Sequence, residues 1–119
     1  MKERINNMSW IRIVRVEEIP VREGRAVTLG DREVALFNLG DRFAAIDNRC
    51  PHNGGPLCDG FVSGNAVVCP LHGWRISLDD GMIQKPSLPV CVETYATRVE
   101  NGIVAIQLPM AAGEEVAAA

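Results

Sequence analysis

The chain has 119 residues, a net charge of −3 and a pI of about 5.3. That length suits one domain with a hydrophobic core of its own, and an apolar fraction of 47% is ordinary for a globular protein. The acidic balance gives nucleic-acid binding no electrostatic basis, and no apolar run reaches the ~18–20 residues of a membrane-crossing helix.

In chain order the pattern predicts strands. Residues 1–8 are polar and are expected to fray. Residues 10–16 read W-I-R-I-V-R-V, mostly alternating, which predicts a half-buried strand. Residues 27–29 and 34–39 are apolar and split by Gly30-Asp31, a hairpin-like turn. Residues 43–46 follow the turn signal Gly40-Asp41. Residues 66–68 lead straight into Cys69, and residues 75–78 alternate until Asp79-Asp80-Gly81 closes them. Residues 90–99 form one long alternating stretch, which pairs with residues 103–108 across Asn101-Gly102, a strong two-residue hairpin signal. Residues 110–119 carry no core pattern. No segment shows a sustained helical period, so an all-β sandwich or barrel is expected, with at most a turn or two of helix.

The chemistry concentrates in one pattern: Cys50-Pro-His52, then sixteen residues, then Cys69-Pro-Leu-His72. Both histidines and two of the four cysteines fall in it. Each arm offers one thiolate and one imidazole. A tetrahedral zinc site accepts the same donors, but zinc spacings usually keep like ligands together. Mixed arms suit a pair of metal ions, each taking one ligand kind. A zinc-stabilised binding module, or buried thiols with no metal at all, remains the alternative. The start, Met1-Lys2-Glu3-Arg4, is charged and lacks a secretory apolar region. The thiols are therefore expected to stay reduced in the cytoplasm. Gly54, Gly55 and Gly73 flank the arms, where backbone N–H groups can approach a cluster. Pro51 and Pro70 stiffen the loops. Cys58 and Cys91 lie outside the motif and are expected to be small buried hydrophobes; a disulfide between them stays open.

The ligand order resembles the Rieske family, whose [2Fe-2S] cluster takes two cysteines on one iron and two histidines on the other. The resemblance covers about residues 10–108. It implies a Rieske-type antiparallel base (9–47 and 89–109) with an inserted cluster-binding subdomain (48–88). It also implies Cys50 and Cys69 on a buried iron, His52 and His72 on an outer iron that serves as the electron port, and a covering third loop with Pro86 and Pro89. Leu57, Pro51, Leu71 and Pro86 would form an apolar docking rim. The runs Asp47-Asn48-Arg49-Cys50-Pro51-His52, Val62-Ser63-Gly64-Asn65-Ala66-Val67 and Cys69-Pro70-Leu71-His72-Gly73-Trp74-Arg75 are similar to the small subunit of assimilatory NAD(P)H nitrite reductase. That branch implies a non-catalytic electron-transfer subunit beside a large flavin- and sirohaem-bearing partner that reduces nitrite to ammonium. Rieske ferredoxins of aromatic-ring dioxygenases share several of these runs, which makes a free-standing ferredoxin the alternative. High-potential respiratory Rieske proteins carry an extra disulfide and a hydrogen-bonding serine. Gly55, Leu71 and Trp74 occupy those positions here, so a potential low in the Rieske range is expected.

Overall fold

The computed structural model describes residues 8–50, 56–71, 73–88 and 90–109. Ten strands occur among them: β1 (Met8–Arg15), β2 (Gly24–Leu29), β3 (Arg32–Asn38), β4 (Phe43–Asp47), β5 (Phe61–Ser63), β6 (Ala66–Val68), β7 (Arg75–Ser77), β8 (Ile83–Lys85), β9 (Thr94–Glu100) and β10 (Ile103–Pro109). Helix is confined to two single 3-10 turns, Val16–Glu18 and Leu57–Asp59. The strands form two antiparallel sheets. One has six strands in the order β1-β10-β9-β4-β3-β2 and curls into a nearly closed barrel; the other has four, β5-β6-β7-β8.

Side chains alternate across a strand, so burial on both faces requires partners on both. In β3 the residues Ala35 and Phe37 join one buried cluster, while Val34 and Leu36 join the other. β4 divides the same way: Ala44 and Ile46 on one side, Ala45 on the other. The smaller cluster is the barrel interior, with Ile19, Val104 and Ile106. The larger one lies between β3–β4 and the four-stranded sheet, and it holds Val62, Val67, Ile76 and Ile83 with both Cys50 and Cys69. The run Val-Ala-Leu-Phe in β3 reads as continuously apolar because it lies between two layers.

The turns follow their residues. Asn101 and Gly102 both take positive φ, 55° and 77°, as the tight hairpin turn between β9 and β10 requires. Gly30, at φ 66°, turns β2 into β3. The side of the barrel also grips the small sheet. The Arg42 guanidinium pairs with Asp79 and reaches Asn65, and Arg22 donates to the Gly64 carbonyl oxygen at 3.3 Å. These groups are exposed, so each pair adds little stability; apolar burial between the layers does most of the holding.

Three expectations need correction. Residues 90–99 are not one strand. β9 begins at Thr94, Val90 is exposed, and Cys91 makes an isolated bridge to Met82. Alternation there reflects separate contacts, not one ladder. Cys91 is exposed, not buried. Finally, β5 and β8 went unread, because three residues are too short to show a period.

Gly60 lies where the 3-10 turn meets β6. A β-carbon there would sit 2.5 Å from the Val68 carbonyl oxygen and 2.7 Å from Val67 Cγ2. Both neighbours are sheet atoms that cannot swing away. Gly60→Ala is expected to destabilise the protein by about 1–3 kcal/mol, read as a lowered denaturant midpoint; an unchanged midpoint would show that the turn can shift freely.

Candidate metal centre

β4 delivers the first arm. Its ladder with β3 ends as the Asn48 N–H donates to the Glu33 carbonyl oxygen at 2.9 Å. The chain then passes Arg49 and Cys50 and returns at Pro56, which bridges Arg49 in antiparallel fashion. The Leu57 N–H closes the loop on the Asn48 carbonyl oxygen at 2.7 Å, and the Cys58 N–H donates to Asn48 Oδ1 at 2.7 Å. β6 delivers the second arm. The Cys69 N–H donates to the Trp74 carbonyl oxygen at 2.7 Å, and the Gly73 N–H donates to the Cys69 carbonyl oxygen at 3.0 Å. This is a tight loop between β6 and β7, with Gly73 at φ 72°. Pro70 and Leu71 form its exposed crest.

The two motif cysteines are each 2% exposed, lie in the same buried cluster and form no disulfide. Pro51, His52, Asn53, Gly54, Gly55, His72 and Pro89 lie outside the described residues. Among the described residues, no group of three or more His, Cys, Asp or Glu side chains gathers into a metal site. The donor chemistry fits a cluster all the same. Two unlinked thiols, each at the start of a short loop, are sealed from water together. Thiolates are soft ligands that suit an iron–sulfur cluster, and a bound metal ion would compensate their buried charge.

Other expected residues divide. Trp74 is half-buried and packs on the larger cluster. Pro86 lines an open cleft of about 580 Å³ with Gly73, Trp74 and Lys85, which places it beside the described end of the second arm. Leu57 is not part of a rim: it is fully buried in the larger cluster. Leu71 is 55% exposed. The Gly73 N–H closes the loop on the Cys69 carbonyl oxygen. Cys58 is half-buried against the larger cluster; burial pushes its thiol pKa up, and the neighbouring Asp59 charge adds to that.

Two features escaped the sequence. Phe61 stands 71% exposed on the edge strand β5, paired across to Val68, the residue before Cys69. Behind the first arm, the Tyr95 hydroxyl donates to Asp47 Oδ1 at 2.6 Å and accepts from Arg32 Nη1 at 3.1 Å. This cross-strand contact ties β9 to β4 three residues before Cys50. The three residues are far apart in sequence, and nothing local could have revealed them.

The family model for the Rieske [2Fe-2S] domain matches residues 9–96. The ferredoxin component of the naphthalene 1,2-dioxygenase system of Pseudomonas aeruginosa is 32% identical over 99 residues, covering 83% of this chain and 95% of its own. The 3-phenylpropionate/cinnamic acid dioxygenase ferredoxin subunit of Shigella flexneri is 36% identical over 98 residues, covering 81% and 91%. Among solved structures, a Mycobacterium tuberculosis protein assigned as an NADH-dependent nitrite reductase small subunit superposes with a TM-score of 0.82 at 25% identity, covering 89% of this chain and all of that one. The chain belongs to the Rieske [2Fe-2S] family, and membership implies a two-iron cluster with cysteine and histidine ligands. The zinc reading falls away.

Burial first, and then the bond to Asp47, raises the Tyr95 pKa from 10.0 to about 12. A raised folded value means that the folded state holds this proton more tightly. Its stabilising contribution is complete below pH 10 and disappears as pH rises through about 12. Tyr95 is the one tyrosine, so absorbance titration at the tyrosinate band reads it alone. The expected midpoint is about 12, and a midpoint at the unperturbed value with tertiary structure intact would contradict the burial assignment.

Proposed function

We propose that this Rieske protein relays single electrons as the small subunit of a cytoplasmic NAD(P)H-dependent assimilatory nitrite reductase. Its cluster would be held by Cys50 and Cys69 on the inner iron and His52 and His72 on the outer one. The observation that carries the ligand assignment is the pair of buried, unlinked thiols in one cluster. Such a cluster accepts and returns one electron, and neutral imidazoles in place of two thiolates raise its potential above that of all-cysteine ferredoxins. The protein's own residues fix where this happens. The sealed thiols leave the two arms, with Leu71 exposed on the second, to meet a partner.

The nitrite reductase branch is supported by the motif runs and by the full-length likeness to the Mycobacterium tuberculosis chain. A second reading, a mobile ferredoxin serving an aromatic-ring dioxygenase, is supported by the higher sequence identity to dioxygenase ferredoxins. The two make different partners necessary. The purified cluster-loaded chain is expected to restore NAD(P)H-dependent nitrite reduction to a flavin- and sirohaem-bearing large subunit prepared without its own small subunit. Restoration of a ferredoxin-depleted dioxygenase, with none of the nitrite reductase, would replace the first reading by the second. Among the described residues no helix is long and apolar enough to cross a membrane.

Two further outcomes follow from the ligand set. His52→Ala and His72→Ala should each abolish the Rieske electron-resonance signal while far-ultraviolet dichroism keeps the β signature. A signal that survives either change would overturn that ligand. Protein-film voltammetry should place the midpoint in the lower part of the roughly −150 to +300 mV Rieske range, since Leu71 and Trp74 supply neither a disulfide nor a hydroxyl donor. A midpoint near the upper end would refute this.

A further inference from the structure

Asn48 is a polar residue with 2% of its surface exposed, at the neck of the first arm. Its bonds run in three directions. The backbone N–H reaches β3 at Glu33, the backbone carbonyl oxygen accepts from Leu57, and side-chain Oδ1 accepts from the Cys58 N–H. One residue therefore holds both ends of the arm: the outgoing strand through its own main chain, the returning 3-10 turn through its carbonyl and its side chain. Cys50 lies two residues beyond this neck, itself 2% exposed.

We infer that Asn48 is a positioning residue for the cluster, and that its side-chain clamp on Cys58 sets where the Cys50 thiolate meets iron. The physical reason is reach. Among the described residues of the arm, the ties between its outgoing and returning ends are the Arg49–Pro56 bridge and the bonds that Asn48 makes to Leu57 and Cys58, so Asn48 carries most of the closure at the neck. Water has little access to the neck, and removing the amide leaves the Cys58 N–H without that acceptor. An asparagine also supplies the acceptor without charge. A carboxylate here would add a buried negative charge near the site and oppose the electron that the cluster would accept. The conformational freedom released on losing the clamp would fall on Cys50, two residues away, and a ligand held off its best geometry loses metal faster.

This inference rests on Cys50 being a ligand, and the experiment separates the two. The wild-type electron-resonance signal tests the ligand assignment; the difference between variant and wild type tests Asn48. The cluster-loaded full chain is compared as wild type, Asn48→Ala and Ile106→Val, the last a change in the barrel interior away from the arms. Asn48→Ala is expected to lose its visible absorption to an iron chelator about tenfold faster than wild type, with shifted g-values. Ile106→Val should lower the melting temperature yet keep wild-type g-values and a near-wild-type rate of loss. Wild-type g-values and chelation rate in Asn48→Ala, or an equal acceleration in Ile106→Val at matched stability, would overturn the assignment. Should Asn48→Ala fail to fold, amide exchange on the wild-type loaded chain decides. Strong protection of the Cys58 N–H supports the clamp, and fast exchange there refutes it.

Discussion

Burial of β3 and β4 on both faces is the constraint on which everything else depends. A strand with solvent on one side needs a single apolar face. These two strands supply two, one to the barrel interior and one to the layer that contains Cys50 and Cys69. The wall that closes the barrel is therefore also the floor under the two motif cysteines. Phe37 and Ile46, both fully buried, fix the height of that floor. Interiors are packed too densely to absorb a change there without moving what rests on them. Energetically this layer contact outweighs the exposed Arg42–Asp79 pair, because apolar area removed from water contributes steadily while a surface ion pair contributes little.

The arms differ in how they are held. The second is a tight loop between paired strands, locked by two backbone bonds between Cys69 and the Gly73–Trp74 pair. The first has a strand on one side only and returns through a 3-10 turn, so a side chain has to complete its closure. That asymmetry explains why a buried asparagine stands at one neck and no equivalent residue is needed at the other. A β-carbon on Gly60 would meet Val68 and Leu57, and one on Gly24 would meet Phe37 and Cys58, so both glycines let the 3-10 turn pack against the two sheets.

Much of this was legible from residue order. Asn101-Gly102 and Gly30-Asp31 announce their turns because only certain residues accept positive φ at no cost. The ligand motif was readable because its chemistry depends on residue type and spacing. What escaped was whatever depended on distance in space. β5 and β8 are too short for alternation to be visible. Leu57 looked like a rim residue by its place in the chain, yet the 3-10 turn carries it into the larger buried cluster. Cys91 sat in an alternating run and was expected inside; the true strand starts three residues later, at Thr94. Arg32, Asp47 and Tyr95 meet only because β9 seals against β4 through the register Ala45–Tyr95 and Ile46–Thr94.

The junction of the two sheets has one more implication. The chain leaves the barrel at Asp47 and re-enters it at Glu93, and these two residues touch: the Asp47 N–H donates to the Glu93 carbonyl oxygen at 3.0 Å, and the Glu93 N–H to Asp47 Oδ2 at 3.4 Å. Departure and return share one doorway. A segment whose ends already meet can grow or shrink at small entropic expense, since each doubling of a closed loop costs only about 0.6 kcal/mol. The barrel can thus serve as a fixed socket, and evolution is at liberty to remodel the inserted plug without rebuilding the socket.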